Sequence, residues 1–430
     1  MKFVLANWGT RGEVEPYVTV GRELVRRGHE VHMAVAPEMV SFTEAAGPAA
    51  VAYGPALKAI LDPHRDFWAG LFANPWRIRE LGRLSGEYSK PLIECRAEVS
   101  ATLTSLAEGA DLLLTGMNFE DDAVNVAEHF DIPLATLHIF PLRINGELLP
   151  FLPAPVARSA MTLLDWAAWR GGKKVEDAQR RGFGLPEATR PWPRRITERG
   201  SLEIQAYDEV CYPGLAAEWA KWNAQQVPKR PFVGALTMEL PTDSDDEVAS
   251  WIAAGKPPIC FGFGSVGVES AAATLSMISS ACAQLGERAL ICAAGTDYSN
   301  VSHSEHVKVV GVMNYAAALP GCRAFVHHGG AGTTNAGLRA GLPTLILWTL
   351  PDQGLWGARV KRLKVGMGRR FSATTEKSLI ADLRTVLAPQ CLTRARELAA
   401  RMTKPAESAA TTADLVENFA RLTPKGSHTR

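Results

Sequence analysis

Short apolar runs alternate along the chain with longer stretches of helical period, which is the rhythm of βαβ units and parallel sheets. In the first half, runs at residues 2–6, 30–35, 111–115 and 133–138 predict strands, and the spacing predicts a helix from Pro16 to Arg27 that stops at Gly28. The second half repeats the style, with strands expected at 258–263, 288–293, 307–310, 323–327 and 344–348, separated by helices of ten or more residues. Between the halves lies segment 226–246, where proline, charge and short polar residues suit a connection between domains. The pattern predicts an α/β chain of two Rossmann-like domains, each a doubly wound parallel sheet, facing a cleft. Residues 1–225 would form the first and 247–405 the second, with a last helix at 406–422 and a disordered tail at 423–430.

The richest chemistry lies where one apolar run ends, at Ala324-Phe325-Val326-His327-His328-Gly329-Gly330-Ala331-Gly332-Thr333-Thr334. A strand stops at a histidine, enters a glycine-rich turn and opens a helix whose first residues are small. Several free backbone N–H groups and the positive helix end then face one point, which suits a nucleotide diphosphate. Strand side chains alternate faces, so only one histidine reaches that point; His328, at the carboxyl end, is expected to bind and His327 to pack against the next layer. Opposed faces argue against a histidine-bound metal. Gly329, Gly330 and Gly332 admit phosphate without a Cβ in the way, and Thr333 and Thr334 offer hydroxyls. Asp352 and Gln353 directly follow the next strand and are expected to meet sugar hydroxyls. A plain strand-turn-helix crossover would need one glycine, not three.

Two other motifs need weighing. Gly262-Phe263-Gly264-Ser265-Val266-Gly267 matches the dinucleotide fingerprint G-x-G-x-x-G. The ribose acid that should end the second strand is missing, because that strand ends Cys292-Ala293-Ala294-Gly295 and Asp297 comes too late. Asp243-Ser244-Asp245 spells a D-x-D metal motif, but it continues as Asp246-Glu247 in the connecting segment and reads as a solvated charge run.

The HHGGAGTT stretch with its downstream Asp-Gln resembles the donor signature of inverting, family 1 glycosyltransferases of GT-B fold, in the bacterial antibiotic-glycosylating branch. A second match opens the chain. Asn7-Trp8-Gly9-Thr10-Arg11-Gly12-Glu13-Val14-Glu15-Pro16 is similar to the G-(S/T)-R-G-D-V-x-P opening of the vancomycin-group enzymes, with Glu13 where they carry Asp. Pro231-Phe232-Val233-Gly234, Gly262-Phe263-Gly264-Ser265 and Val310-Gly311-Val312-Met313-Asn314-Tyr315 extend the resemblance over nearly the whole chain. The mycobacterial branch that glycosylates glycopeptidolipids looks closer still. The resemblance implies a UDP- or dTDP-sugar donor, no cofactor, no metal, Ser265 beside the diphosphate, Val312 and Met313 at the nucleobase, and a last helix that returns to the first domain.

A neutral hydroxyl needs a base to attack a sugar carbon. The resemblance puts Glu13 in that role, and its place at the start of the first helix, past Gly9 and Gly12, agrees. The bland reading makes Glu13 and Glu15 only favourable charges at a helix start. Asp121, or its neighbour Glu120, could orient or replace it, and Arg11 could hold phosphate. Gly12, Trp68 and Phe140 are expected at the acceptor. The mixture of Phe67, Trp68, Phe72 and Trp76 with Arg65, Arg77, Arg79 and Arg83 suits a greasy acceptor, though ordinary amphipathic packing fits it as well.

Composition trims the alternatives. With 430 residues, 47% hydrophobic, and a net charge of +1, the chain can core two domains and gives no reason to invoke nucleic acid. Seven scattered cysteines without a C-x-x-C pair read as buried thiols in a reducing, cytoplasmic setting. No apolar run approaches the ~20 residues of a spanning helix, so membrane contact is expected to be peripheral. Against the transferase stand a nucleotide-sugar epimerase of the same fold, a non-catalytic lipid- or partner-binding relative and, below both, an NAD-dependent oxidoreductase.

Overall fold

The structure, a computed structural model, describes residues 1–74, 76–149, 152–224, 229–263, 271–293 and 304–423; of Lys221 and Trp222 only the backbone is described. The chain divides into two compact units, Met1–Leu236 with Thr403–Arg430, and Thr237–Met402. The first crossing between them falls inside the proline-rich connection, and the chain returns at Thr403.

The first unit holds six parallel strands: β1 Lys2–Asn7, β2 Glu30–Val35, β3 Ala49–Ala52, β4 Leu112–Thr115, β5 Leu134–His138 and β6 Leu202–Gln205. Their order is β3-β2-β1-β4-β5-β6. The second unit holds β7 Ile259–Gly262, β8 Ala289–Cys292, β9 Val307–Val310, β10 Ala324–His327, β11 Thr344–Trp348 and β12 Gly366–Arg370, in the order β12-β11-β10-β7-β8-β9. Each sheet runs outward in both directions from a central pair, β1/β4 in one and β7/β10 in the other. Strand order reverses at that pair, and the loops there form the crevice where such sheets take ligands.

Central strands are continuous apolar runs because helices cover both faces. Phe3, Val4, Leu5 and Ala6 are wholly buried, as are Ala324, Phe325 and Val326. Three strands escape the apolar pattern. β3 (Ala-Ala-Val-Ala) and β12 (Gly-Met-Gly-Arg-Arg) are sheet edges, and β6 (Leu-Glu-Ile-Gln) buries a glutamate among ion pairs.

The first helix also corrects the sequence. It runs Arg11–Arg26, not from Pro16, with Gly28 beyond its end at a φ of 82°. Thr10 and Glu13 form the start: Glu13 N donates to Thr10 O (2.9 Å), while Glu13 Oε2 accepts from Thr10 N (2.8 Å) and Thr10 Oγ1 (3.2 Å). That is a T-x-x-E capping box, and Pro16 sits a turn inside it. The last helix, Pro405–Leu422, packs on this first helix, where Arg27 pairs with Asp414 (2.6 Å) and Glu417 (3.1 Å).

Candidate active site

At the switch point of the second sheet, β10 ends at His327 and the ladder runs one residue further, His328 N donating to Gly262 O (3.2 Å). The two imidazoles part as alternation requires, at 80° to one another. His327 is fully buried against Phe325, and its Nδ1 accepts from Gly329 N (3.0 Å), so it shapes the turn from beneath. His328 lies half-buried, its Nδ1 without a hydrogen-bond partner among the described residues. Burial pushes both imidazoles below their usual range.

Each glycine here answers a different contact. Gly329 has a φ of 98°, and a Cβ would sit 2.6 Å from Ile346 Cγ2. On Gly330 a Cβ would lie 2.5 Å from His328 Nε2, so this glycine lets the ring lie across the turn. A Cβ on Gly332 would meet nothing within 4 Å, which leaves the first turn of helix Ala331–Arg339 open above it. The N–H groups of Ala331, Gly332 and Thr333 precede the first intrahelical bond, which Thr334 N makes to Gly330 O at 2.8 Å. Thr333 shares that turn. Thr334 departs from expectation: its hydroxyl bonds back to Gly330 O (2.8 Å) and caps nothing outside.

Beside the turn, helix Pro351–Arg362 begins directly after β11. Asp352 is exposed in its first turn. Gln353 is corrected: it is buried, its Oε1 accepts from Thr349 N (2.9 Å) and Leu350 N (3.1 Å), and its Cβ packs beneath Gly329. Its oxygen holds a helix start rather than a sugar.

The loop after β9 places Val312 outward, 55% exposed, and Met313 inward in the core. Its clamp is the segment read as a solvated charge run. Ser244 Oγ donates to Val312 O (2.6 Å), and Asp245 accepts from Asn314 N (3.2 Å), Thr242 N (2.9 Å) and Thr242 Oγ1 (2.5 Å). Only Asp243, Asp246 and Glu247 are exposed as expected. Ser265, with the rest of the Gly264–Gly267 motif, lies outside the described residues.

At the switch point of the first sheet a small cavity is lined by Asn7, Glu13, Tyr17, Asn118, His138 and Phe140, among others, with room for about one water at ≈ 20 Å³. Asn7 Nδ2 donates to Glu13 O (2.8 Å), and Tyr17 Oη donates to Leu137 O (2.6 Å) and Thr115 O (3.1 Å), tying helix to strand ends. Glu13 thus faces the cavity while capping its helix. Gly12 has open space where a Cβ would stand.

Behind the cavity lies a buried charge network that sequence reading passed over. Arg143 donates twice to Glu120, at 3.0 and 2.8 Å, and also bonds Glu203, which Arg230 approaches at 3.2 Å. His138 Nε2 lies 3.1 Å from Glu120 Oε1. Burial pushes the Glu120 carboxyl up, but Arg143 and His138 outweigh it and hold it at about 2. Burial and then the Arg143 charge push the His138 imidazole below its usual range, against the opposing pull of Glu120 and Glu203. Partners 18, 23 and 60 positions apart leave no local signal; only the polar residues inside β5 and β6 hint at it.

Other expectations do not converge here. Asp121 pairs with Arg96 (2.7 Å), which also holds Asp122, and is not among the residues that line the cavity. Arg11 pairs with Glu15 (2.9 Å) over the Phe42 ring. Trp68 donates to His64 Nε2 (2.8 Å) within a ring cluster with Phe67, Phe72 and Tyr88 along helices Lys58–Ala73 and Ile78–Glu94, the packing alternative. Trp76 and Ile78, 71% and 77% exposed, and Leu163, Leu164 and Trp166 on helix Ala154–Gly182 present apolar surface. Among the described residues no helix is long and apolar enough to cross a membrane.

Comparison with known proteins bears on these sites. Residues 3–84 match the family model of the glycosyltransferase family 28 N-terminal domain, and residues 275–422 that of the erythromycin biosynthesis protein CIII-like C-terminal domain. An uncharacterized glycosyltransferase of Mycobacterium tuberculosis is 57% identical, covering 98% of this chain and 99% of its own. A sterol 3-beta-glucosyltransferase of Arabidopsis thaliana is 26% identical over 93% of this chain and 65% of its own. Among solved structures, the kitacinnamycin glycotransferase superposes with a TM-score of 0.70 (16% identity; 97% and 99% coverage). VinC, in complex with dTDP, superposes with 0.61 (19% identity; 98% and 99% coverage). Sharing more than half its residues, end to end, with a named glycosyltransferase and the fold of solved ones, the chain belongs to the GT-B glycosyltransferases.

Proposed function

We propose that this enzyme moves a hexose or deoxyhexose from a UDP- or dTDP-sugar to a hydroxyl of a lipid, peptidolipid or natural product, with inversion and without a metal. The observation that carries the donor reading is the His328–Gly332 turn, where an open helix start and an imidazole nitrogen unpartnered among the described residues lie at one switch point. Complexes of related fold hold dTDP, as VinC does. The Val312–Met313 backbone takes the nucleobase edge and Asp352 the sugar hydroxyls.

The step is one displacement. The acceptor hydroxyl gives its proton to the Glu13 carboxylate as its oxygen bonds the anomeric carbon; the bond from that carbon to the phosphate oxygen breaks, and its electron pair leaves on the diphosphate. His328 and the N–H groups of Ala331 to Thr333 stabilise that growing charge, preorganised donors of the kind that dominate many active sites. The exposed Trp76, Ile78, Leu163 and Trp166 favour a lipid acceptor, as does similarity to a sterol glucosyltransferase, and fit peripheral membrane contact. The test is a donor-by-acceptor screen that reads released nucleotide diphosphate in EDTA. Turnover with UDP- or dTDP-hexose and a lipid hydroxyl supports the reading; turnover that requires added magnesium contradicts its metal-free form.

A further inference from the structure

His138 ends β5 with 1% of its surface exposed, yet its Nδ1 has no hydrogen-bond partner among the described residues, and its ring lines the cavity that Glu13 lines. Its other nitrogen faces the Glu120 carboxylate at 3.1 Å. Glu120 is held ionised by two bonds from Arg143 and can only accept, so Nε2 carries the proton and Nδ1 presents a basic lone pair. A buried acceptor left unmatched is costly, and a hydroxyl donor in the cavity would satisfy it. The cavity is polar and has room for about one such oxygen.

We propose that His138 is the second proton acceptor of this site, its Nδ1 receiving through the cavity the proton that Glu13 takes from the acceptor hydroxyl. The inference rests on Glu13 as base. Glu13 returns to carboxylate, the imidazolium that forms is paired with Glu120, and the proton later leaves to solvent. The arrangement answers a difficulty with Glu13 alone, whose Oε2 is already engaged by Thr10. The groups that face His138 come from every side: Glu120 at the start of the preceding helix, Arg143 beyond β5 and Glu203 on β6, which Arg230 approaches, with Glu13 and Tyr17 of the first helix lining the same cavity.

A nitrogen-15 histidine NMR titration of the full-length protein tests this without knowledge of the acceptor. His138→Gln assigns the resonance; should that variant not fold, single substitutions at the other histidines assign it by elimination. The expected result is an Nε2–H tautomer whose titration lies below the ordinary histidine range and moves lower, by about half a unit or more, in Glu13→Gln, since removing a nearby carboxylate disfavours the imidazolium. A histidine that only packs in the sheet would leave the pH profile of transfer unchanged in His138→Gln, whereas a proton acceptor shifts its acidic limb. An Nδ1–H tautomer, or a titration indifferent to Glu13→Gln, overturns the proposal. Failure of Glu13 as base reads out separately, as Glu13→Gln turning over at the wild-type rate.

Discussion

Glu13 caps the first helix, and the proposed function gives the same carboxylate the role of base. Glu13→Gln keeps an oxygen for Thr10, so the capping box survives and stability should change by less than about 1 kcal/mol. Transfer should nevertheless fall at least a hundredfold, within the ~10²–10⁴ range of general-base effects, while nucleotide binding stays unchanged. Thermal melting and calorimetric titration of this variant separate the two roles. In the second unit, Gly330→Ala and Gly332→Ala should behave oppositely in stability. The first drives a Cβ into His328 and should destabilise. The second meets no atom of the described residues within 4 Å and replaces a helical glycine, so it should gain up to ~1 kcal/mol of stability yet bind nucleotide diphosphate more weakly. Equal affinity for wild type and Gly332→Ala would remove phosphate from that turn. His328, Gly330 and Gly332 were legible in sequence because their contacts are local. The capping box was equally local, spelled T-x-x-E, but the proline drew the helix start five residues too late. The Glu120–His138–Arg143–Glu203 network was not legible, since nothing in a single sequence reports which distant charges share a buried site.

Among the elements, central strands declared themselves by apolar runs, while β3, β6 and β12 did not. Edge strands need no second apolar face, and β6 gains its place through buried Glu203. The segment Thr242–Asp245 carries the same lesson, since its acidic run reads as solvent-facing while Asp245 pins the start of Asn314 and Ser244 holds Val312 O. Asp245→Ala should therefore loosen the loop after β9 and weaken UDP or dTDP binding several-fold, with a stability loss of about 1–2 kcal/mol. Equal nucleotide affinity in calorimetry would show that this loop does not read the base. The buried histidines of the β10 turn make a pH prediction as well. Their imidazoles titrate below the ordinary value near 6.5, so unfolding takes up protons and stability must fall as pH drops below that value. Melting of His327→Gln should show a shallower acid slope than wild type.

For the whole molecule, two sheets of the same strand order each place their working loops where the order reverses. The chain closes the first unit from its far end, since Pro405–Leu422 buries Ala413, Val416, Phe419 and Ala420. At ~1.5–3 kcal/mol for each large side chain, losing that helix removes a large part of a typical ~5–15 kcal/mol of stability. Truncation before Thr403 should leave the first unit unfolded or readily proteolysed. The most direct test of the central claim, a metal-free diphosphate clamp, is a thermal-shift titration of the intact protein with UDP, dTDP, GDP and NAD, in magnesium and in EDTA. Stabilisation by UDP or dTDP that persists in EDTA and is lost in His328→Ala is the predicted result. Stabilisation by NAD alone, or by nucleotide diphosphate only with magnesium, would contradict it.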